Sequence, residues 1–105
     1  MMDLSVIDNE AKQRFEVLAD GDLAGYAQYQ LRGRRITVFH TEIDPKFEGH
    51  GVGSALARGL LDSVKARRLD LHPTCPFIAS YVRSHADQYL DLVPEAMRPR
   101  LLKDA

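Results

Sequence analysis

Three glycines stand at alternate positions, Gly49, Gly51 and Gly53, immediately before a segment with a helical period. Glycine reaches backbone conformations that are closed to other residues, and without a Cβ it lets main-chain N–H groups approach an anion closely. A helix that begins there directs its unpaired N–H groups and the positive end of its dipole at the same point. The spacing predicts a binding site for a phosphate group. The alternative is a loop whose glycines serve only tight packing.

Alternating polar and apolar residues predict a meander of strands before this loop. Residues 4–8 and 14–18 form the first two strands, and the turn at residues 20–22 leads into the third. One face of the third strand is predicted to carry Leu23, Gly25, Ala27, Tyr29 and Leu31. The longest strand runs from Arg35 to Ile43, and alternation places four of its side chains on one side: Ile36, Val38, His40 and Glu42. Pro45 ends this pairing, because proline cannot donate to a ladder.

After the loop the apolar period changes from two to about 3.6, which predicts an amphipathic helix that ends near Arg67. A short strand over residues 69–72 follows, and Pro76 suits the first position of a second helix that runs to about His85. A short helix is also predicted within residues 94–102. A strand, a helix and a strand so close together imply a right-handed crossover. The predicted fold class is α+β: an antiparallel meander, a β-α-β unit with a parallel last strand, and a second helix.

Composition and charge narrow the class of protein. A chain of 105 residues is expected to form one domain. Its net charge of −1 argues against general binding to nucleic acid or anionic membranes, and no apolar run approaches the roughly 20 residues of a membrane span. The single cysteine, Cys75, allows no internal disulfide and favours the cytoplasm. The histidines lack ligand spacing, so no metal site is predicted: His40, His50, His72 and His85.

Residues 43–56, IDPKFEGHGVGSAL, resemble the acetyl-CoA signature of the GNAT N-acetyltransferase superfamily. That signature is a hydrophobic strand end, a proline, and then Q/R-x-x-G-x-G/A at the start of a helix. A compact single-domain subgroup, the YjdJ type of predicted acetyltransferases, is similar in two further segments: His40-Thr41-Glu42, and Cys75-Pro76-Phe77 followed by Tyr81 and His85. The resemblance covers about residues 5–93 and implies one GNAT-like domain over residues 1–105.

The resemblance implies that acetyl-CoA is the acetyl donor and places it on named backbone groups. The backbone from Thr41 to Ile43 holds the acyl end. Main-chain amides of the loop hold the pyrophosphate: Glu48, Gly49, His50, Gly51, Val52, Gly53 and Ser54. Glu48 stands where the superfamily has glutamine or arginine, so the backbone amides carry the binding, with help from His50 or Arg58.

Acetyl transfer to an amine requires a neutral amine, a donor for the oxyanion and a proton for the departing thiolate. His40 and Glu42 point to the same side of the strand near the expected acyl group, and either could deprotonate the amine; the alternative is a histidine bonded within the sheet beside a solvated carboxylate. The resemblance implies that Tyr81 protonates the coenzyme A thiolate, with core packing as the alternative. Cys75 could carry the acetyl group covalently, or it is a small buried hydrophobe.

Two functions stay open at this level, and a structural αβ domain without a ligand is the third alternative. The first is an acetyl-CoA-dependent N-acetyltransferase whose amine acceptor, a small molecule or a protein, is unidentified. The second is a catalytically weak acyl-CoA-binding or interaction module on the same fold, because the chain lacks the initial helices and the final strand pair of larger family members. Such a short chain implies an open site, a large acceptor or completion by a second subunit, and its sheet edges favour a homodimer.

Overall fold

A computed structural model describes residues 2–103 of the chain. Its sheet has five strands that lie side by side in sequence order: β1 (Leu4–Asn9), β2 (Arg14–Ala19), β3 (Asp22–Arg32), β4 (Arg35–Ile43) and β5 (Asp70–Pro73). The first four strands are antiparallel and β5 is parallel to β4. The predicted meander with a parallel last strand is confirmed, although β5 lies one residue later than predicted and includes Pro73.

Four α-helices follow the meander or alternate with β5: α1 (Val52–Ala66), α2 (Pro76–Ser84), α3 (Ala86–Tyr89) and α4 (Arg98–Lys103). Short 3-10 turns occur at Glu10–Lys12, Pro45–Phe47, Leu90–Leu92 and Glu95–Met97. The first two helices end within one residue of the predicted positions. The helix predicted in residues 94–102 is a 3-10 turn followed by α4. Within residues 2–103, every helix is too short or too polar to cross a membrane.

The helices pack on one face of the sheet, here called the helix face. A stripe of α1 with the predicted period is fully or almost fully buried against it: Val52, Leu56, Leu60 and Val64. Gly59 lets α1 approach β1, since a Cβ there would lie 2.7 Å from the Cβ of Val6. The hydroxyl of Tyr89 donates to Asp62 at 2.7 Å and ties α3 to α1. The helix face therefore holds the core.

The opposite face, here called the open face, has no helix over it within residues 2–103. Cross-strand pairing places a mainly polar set of side chains there: Ile7, Asn9, Arg14, Glu16, Tyr26, Gln28, His40 and Glu42. Ile7 is 44% exposed although it is apolar. A surface of this kind is accessible to a partner or substrate.

A β-bulge at Phe39 changes the alternation of β4. Gln28 pairs with His40, whereas the next residue of β3 pairs with Val38, so Phe39 is an extra residue. Uniform alternation places four side chains together: Ile36, Val38, His40 and Glu42. That prediction is wrong, because the first two are fully buried on the helix face and the last two are exposed on the open face.

A second register shift lies between β2 and β3. Val17 pairs with Gly25 and Leu18 pairs with Leu23, which leaves Ala24 as the extra residue. Leu23 is 43% exposed and Ala24 is fully buried. The prediction that Leu23 lies on the same face of β3 as Gly25 and Ala27 is therefore wrong, since the shift puts Ala24 in that place.

Candidate functional site

The glycine loop leaves β4 through a short, well-bonded turn. The Asp44 carboxylate accepts a hydrogen bond from the backbone N–H of Lys46 at 3.0 Å, and Pro45 opens the 3-10 turn. Gly49 and Gly51 then have φ angles of +84° and +74°, in the left-handed region that side chains disfavour. Both positions are exposed, and added Cβ atoms would meet nothing within 4 Å. The glycines are thus required by backbone conformation and not by packing.

The N terminus of α1 offers unpaired donors to this loop. Gly51 is its N-cap residue and has no side chain to cap the helix. The first helical hydrogen bond runs from Ala55 N–H to the Gly51 carbonyl at 3.0 Å. The N–H groups of residues 52–54 precede that bond, so they lack helical partners and point outward. Together with the helix dipole, they suit a phosphate.

Gly53 brings the starts of two helices together. A Cβ at this position would lie 2.9 Å from the Cζ atom of Phe77, near the start of α2. Phe77 is 40% exposed, so its ring covers the first turn of α1 at the surface. The glycine spacing therefore serves both purposes considered from the sequence, with Gly49 and Gly51 shaping the loop and Gly53 allowing helix contact.

β4 extends beyond the point where β5 stops pairing with it. β5 pairs only with residues 35–38, and the N–H groups of Thr74 and Cys75 both donate to the Val38 carbonyl, at 3.1 and 3.0 Å. These bonds turn the chain into α2. The gap between residues 39–43 of β4 and the start of α2 is called the β4–β5 fork.

The fork exposes backbone groups of β4. On the edge of β4 that faces β3, the Asp44 N–H donates to the Ala24 carbonyl at 2.8 Å. Bonded and non-bonded pairs alternate along an antiparallel ladder, so Glu42 bonds toward β3 while the peptide groups of Thr41 and Ile43 point into the fork. The backbone predicted to hold an acyl chain thus lies along an edge that β5 leaves free.

Cys75 lies at the closed end of the fork, where it is the N-cap residue of α2. Its side chain is only 4% exposed, and Sγ lies 3.1 Å from the Oγ1 atom of Thr41. The structure therefore brings Cys75 to the predicted acyl-binding strand. Its burial matches the packing alternative more closely than the role of an accessible nucleophile.

His40, Glu42 and Tyr26 form a polar cluster on the open face beside the fork. The Tyr26 hydroxyl donates a hydrogen bond to Glu42, and His40 Nε2 lies 3.9 Å from the Glu42 carboxylate. The rings of Tyr26 and His40 are 6.1 Å apart. The bond to Glu42 raises the pKa of Tyr26, so the phenol keeps its proton at neutral pH and remains a donor. The side chains of His40 and Glu42 are 49% and 59% exposed.

Arg14 supports this cluster from β2. Its guanidinium lies 4.6 Å from the centre of the Tyr26 ring, and its Nε donates to Glu16 at 2.7 Å. Burial opposes ionisation of Glu16, but the hydrogen bonds from Arg14 and Asn9 outweigh it and lower the pKa of the carboxyl group. The ionised Glu16 therefore balances the charge of Arg14.

Tyr81 lies on the helix face, between α2 and α1. Its ring stacks on His85 with centroids 4.1 Å apart, and the centroid of the Tyr89 ring is 6.2 Å away. Its hydroxyl lies beside Arg58 of α1 and raises the pKa of that guanidinium. Tyr81 is therefore separated by the sheet from His40 and Glu42, and only a ligand that passes through the fork would meet both sides.

Two features of this site escape sequence reasoning. Tyr26 and Arg14 are ordinary polar positions of a half-buried strand, and only the pairing of three strands brings them to Glu42. The two-residue turn at Gly33-Arg34 fixes the register of β3 and β4 only up to Val38, because the bulge at Phe39 changes it before Tyr26. The residues described contain no group of three or more histidine, cysteine or acidic side chains suited to hold a metal.

Comparison with known proteins agrees with this geometry. A family model described as GCN5-related N-acetyl-transferase matches residues 14–92. Protein NATD1 of Xenopus tropicalis is 30% identical over 89 residues, which cover 81% of this chain and 82% of that protein. Protein NATD1 of Gallus gallus is 37% identical over 65 residues, or 60% of this chain, and the match spans 59% of that protein's length.

Among solved structures, the fold is similar to that of the ribosomal-protein-S18-alanine N-acetyltransferase from Escherichia coli. The TM-score is 0.55 at 19% identity, over 68% of this chain and 64% of that chain. This likeness concerns the fold alone. The family match, by contrast, runs from β2 through α3 and includes the glycine loop, the fork and the start of both long helices. The chain belongs to the GCN5-related N-acetyltransferase family.

Proposed function

We propose that the protein is an N-acetyltransferase that takes its acetyl group from acetyl-CoA and transfers it to an amine. The observation that carries this proposal is the uncapped start of α1, set behind two left-handed glycines and open to the β4–β5 fork. A pyrophosphate at the amides of residues 48–54 leaves the pantetheine arm to run along the fork. There the peptide groups of Thr41 and Ile43 supply hydrogen bonds to the arm.

Glu48 stands where the signature that residues 43–56 resemble has glutamine or arginine. Its carboxylate adds negative charge next to the proposed phosphate site, where a donor would help. The side chain is exposed and can point into solvent. Binding then depends on main-chain amides, and Arg58, one helical turn beyond Ser54, adds a cation on the same helix. We therefore expect coenzyme affinity to depend strongly on loop conformation and on ionic strength.

Glu42 is the group that we assign to proton removal. It accepts the proton from the acceptor amine, directly or through water, and His40 lies close enough to share it. The amine nitrogen then forms a bond to the thioester carbonyl carbon, and the carbon–sulfur bond breaks as the coenzyme A thiolate leaves. Tyr81 remains the proposed proton donor to the thiolate. Direct attack is favoured over a covalent step because Cys75 is buried.

Titration calorimetry with acetyl-CoA tests the proposal, with a matched pair of variants. Gly51 and Gly21 are both exposed, both have positive φ angles, and neither has an atom within 4 Å of an added Cβ. Gly51→Trp and Gly21→Trp therefore impose similar backbone strain at different places. We expect Gly51→Trp to weaken acetyl-CoA binding by at least about tenfold, since it distorts the phosphate loop, and Gly21→Trp to leave it unchanged.

Equal affinities for the two variants, or no binding by the wild-type protein at millimolar coenzyme, would refute the coenzyme site. A second candidate function, an acyl-CoA-binding module with little chemistry, is favoured by the solvent exposure of His40 and Glu42. It predicts coenzyme binding without thiol release from acetyl-CoA in the presence of any amine. Glu42→Gln then changes nothing measurable, whereas an acetyltransferase loses most of its turnover.

A further inference from the structure

A cavity of about 370 Å³ lies beside Glu42, at the end of the sheet where β3 begins and β4 ends. Its wall has an apolar part, Leu23, Ile43 and Pro45, and a polar part, Tyr26, Glu42 and Asp44. The cavity lies apart from the glycine loop, residues 48–54, that we assign to the pyrophosphate. It shares Glu42 with the proposed proton transfer, and it shares Ile43 with the fork edge, where the peptide groups of that residue are assigned to the coenzyme arm.

Two irregularities of the strands shape this cavity. The register shift between β2 and β3 turns Leu23 outward to the rim and buries Ala24 in its place. Gly25 then lies so close to β4 that a Cβ would come within 2.7 Å of the Glu42 carbonyl oxygen. The cavity is therefore set by backbone geometry, and its shape does not depend on flexible side chains alone.

The charges around the cavity favour a cation. Glu42 and Asp44 are both acidic, and the Arg14 guanidinium is held by Glu16 at 2.7 Å and lies against the Tyr26 ring. Lys46, in the Pro45–Phe47 turn, is exposed and is not part of the cavity wall. The apolar rim formed by Leu23 and Pro45 suits a hydrocarbon chain, and the carboxylates suit an ammonium group.

We infer that this cavity binds the acceptor as a primary alkylammonium ion, with its hydrocarbon stem against Leu23 and its nitrogen at Glu42. This inference rests on the proposed acetyl transfer and names the substrate class for it. Glu42 then has two successive roles, since it binds the charged amine and afterwards accepts the proton that must leave before attack. A carboxylate on the acceptor, next to the amine, is repelled by Glu42 and Asp44.

Acceptor selectivity gives the first test. In a thiol-release assay, n-pentylamine should have a KM at least about tenfold lower than norleucine, which is the same amine with an adjacent carboxylate. Norleucinamide keeps the bulk of norleucine without that charge, so its KM should be close to that of n-pentylamine. Equal KM values for norleucine and norleucinamide overturn the assigned electrostatic selection.

Two equally exposed apolar residues of the sheet give a matched pair of variants. Leu23, at the rim, is 43% exposed, and Ile7, on the edge strand β1, is 44% exposed. Leu23→Lys places a cation at the cavity and should raise the KM for n-pentylamine at least about tenfold, whereas Ile7→Lys should not. Asp44→Asn keeps an oxygen acceptor for Lys46 N–H but removes the charge, and it should raise the same KM several-fold. The Kd for acetyl-CoA should stay unchanged in Leu23→Lys and Ile7→Lys.

Binding of n-pentylamine to the protein saturated with coenzyme A separates the two proposals. If the amine binds, Leu23→Lys weakens that binding and no amine releases thiol, the cavity assignment holds and acetyl transfer fails. If thiol is released and Leu23→Lys behaves like Ile7→Lys, transfer holds and the cavity assignment is overturned. An amine that neither binds nor reacts overturns the cavity assignment as well.

Discussion

At the scale of single residues, Glu42 differs from the other polar groups on the open face because a neighbouring strand supplies it with a donor. The Tyr26 hydroxyl bonds to it, and Tyr26 is itself held by Arg14, which is anchored on the largely buried Glu16. A general base is effective only when its carboxylate is held within reach of the amine. We therefore expect Tyr26 to act as a positioning residue for Glu42.

Tyr26→Phe tests that role, because it removes the hydroxyl and keeps the ring against Arg14. A hydrogen bond to a charged group is worth about 1.5–3 kcal/mol, so kcat/KM for the amine should fall by about tenfold or more. Steady-state kinetics at a saturating concentration of acetyl-CoA measure this loss.

The double variant with Glu42→Gln is the control for this prediction. If Tyr26 acts through Glu42, its loss adds little once the carboxylate is gone, because the two residues are coupled. Fully additive losses in kcat/KM would show that the hydroxyl acts somewhere else. A weaker Kd for acetyl-CoA in Tyr26→Phe would place its effect at the coenzyme site.

At the scale of strands and helices, the bulge at Phe39 decides which side chains meet. The turn at residues 33–34 pairs Arg32 with Arg35, and an unbroken ladder from there would put Tyr26 opposite Thr41. The extra residue shifts the register by one, and Tyr26 pairs with Glu42. Sequence alternation predicts β4 itself, but it does not contain the position of a bulge, because that depends on how two strands twist against each other.

Two glycines at close contacts between elements should respond differently to alanine. At Gly25 a Cβ meets backbone, the Glu42 carbonyl oxygen at 2.7 Å, and backbone within a sheet cannot move alone. At Gly53 it meets the Phe77 ring at 2.9 Å, and this ring is 40% exposed and free to turn. We expect Gly25→Ala to lower the free energy of unfolding by about 1–3 kcal/mol and Gly53→Ala by less than about 1 kcal/mol, measured by urea denaturation.

The same pair should also separate coenzyme and acceptor effects. Gly25→Ala pushes the end of β4 away from β3, so the KM for the amine should rise along with the loss of stability. Gly53→Ala disturbs the start of α1, so the Kd for acetyl-CoA is the quantity expected to change. Equal destabilisation by the two variants would contradict the rigidity that we assign to the contact between β3 and β4.

At the scale of the whole molecule, the order of strands and helices can be predicted from the sequence because three local signals indicate the same elements. The period changes at the glycine loop, Pro45 and Pro76 mark the ends of elements, and the apolar stripe of α1 matches its buried residues. Gly49 and Gly51 of the predicted loop have the positive φ angles that favour glycine. The cluster on the open face could not be predicted from the sequence, since Tyr26 and Arg14 come to Glu42 only through the pairing of β2, β3 and β4.

Two buried tyrosines join separate parts of the molecule and should make its stability sensitive to alkaline pH. The Tyr29 hydroxyl donates to Asp8 at 2.7 Å, and Tyr89 donates to Asp62 at the same distance. Burial, followed by these hydrogen bonds to carboxylates, raises the pKa of Tyr29 well above 10 and that of Tyr89 to about 12. In the unfolded chain both phenols titrate near their ordinary pKa of about 10.

The sign of the effect follows from proton binding. Because the folded state holds these protons more tightly, the stabilisation is complete below about pH 10 and is lost as the pH rises toward 12. The free energy of unfolding should fall by about 1 kcal/mol per pH unit for each tyrosine in that range. Urea denaturation of wild type and Tyr29→Phe/Tyr89→Phe at about pH 8 and 11 measures it. The double variant should have a lower free energy of unfolding than wild type at about pH 8, and it should lose less of it between about pH 8 and 11. Equal losses in the two proteins would show that these phenols do not control the fall in stability at alkaline pH.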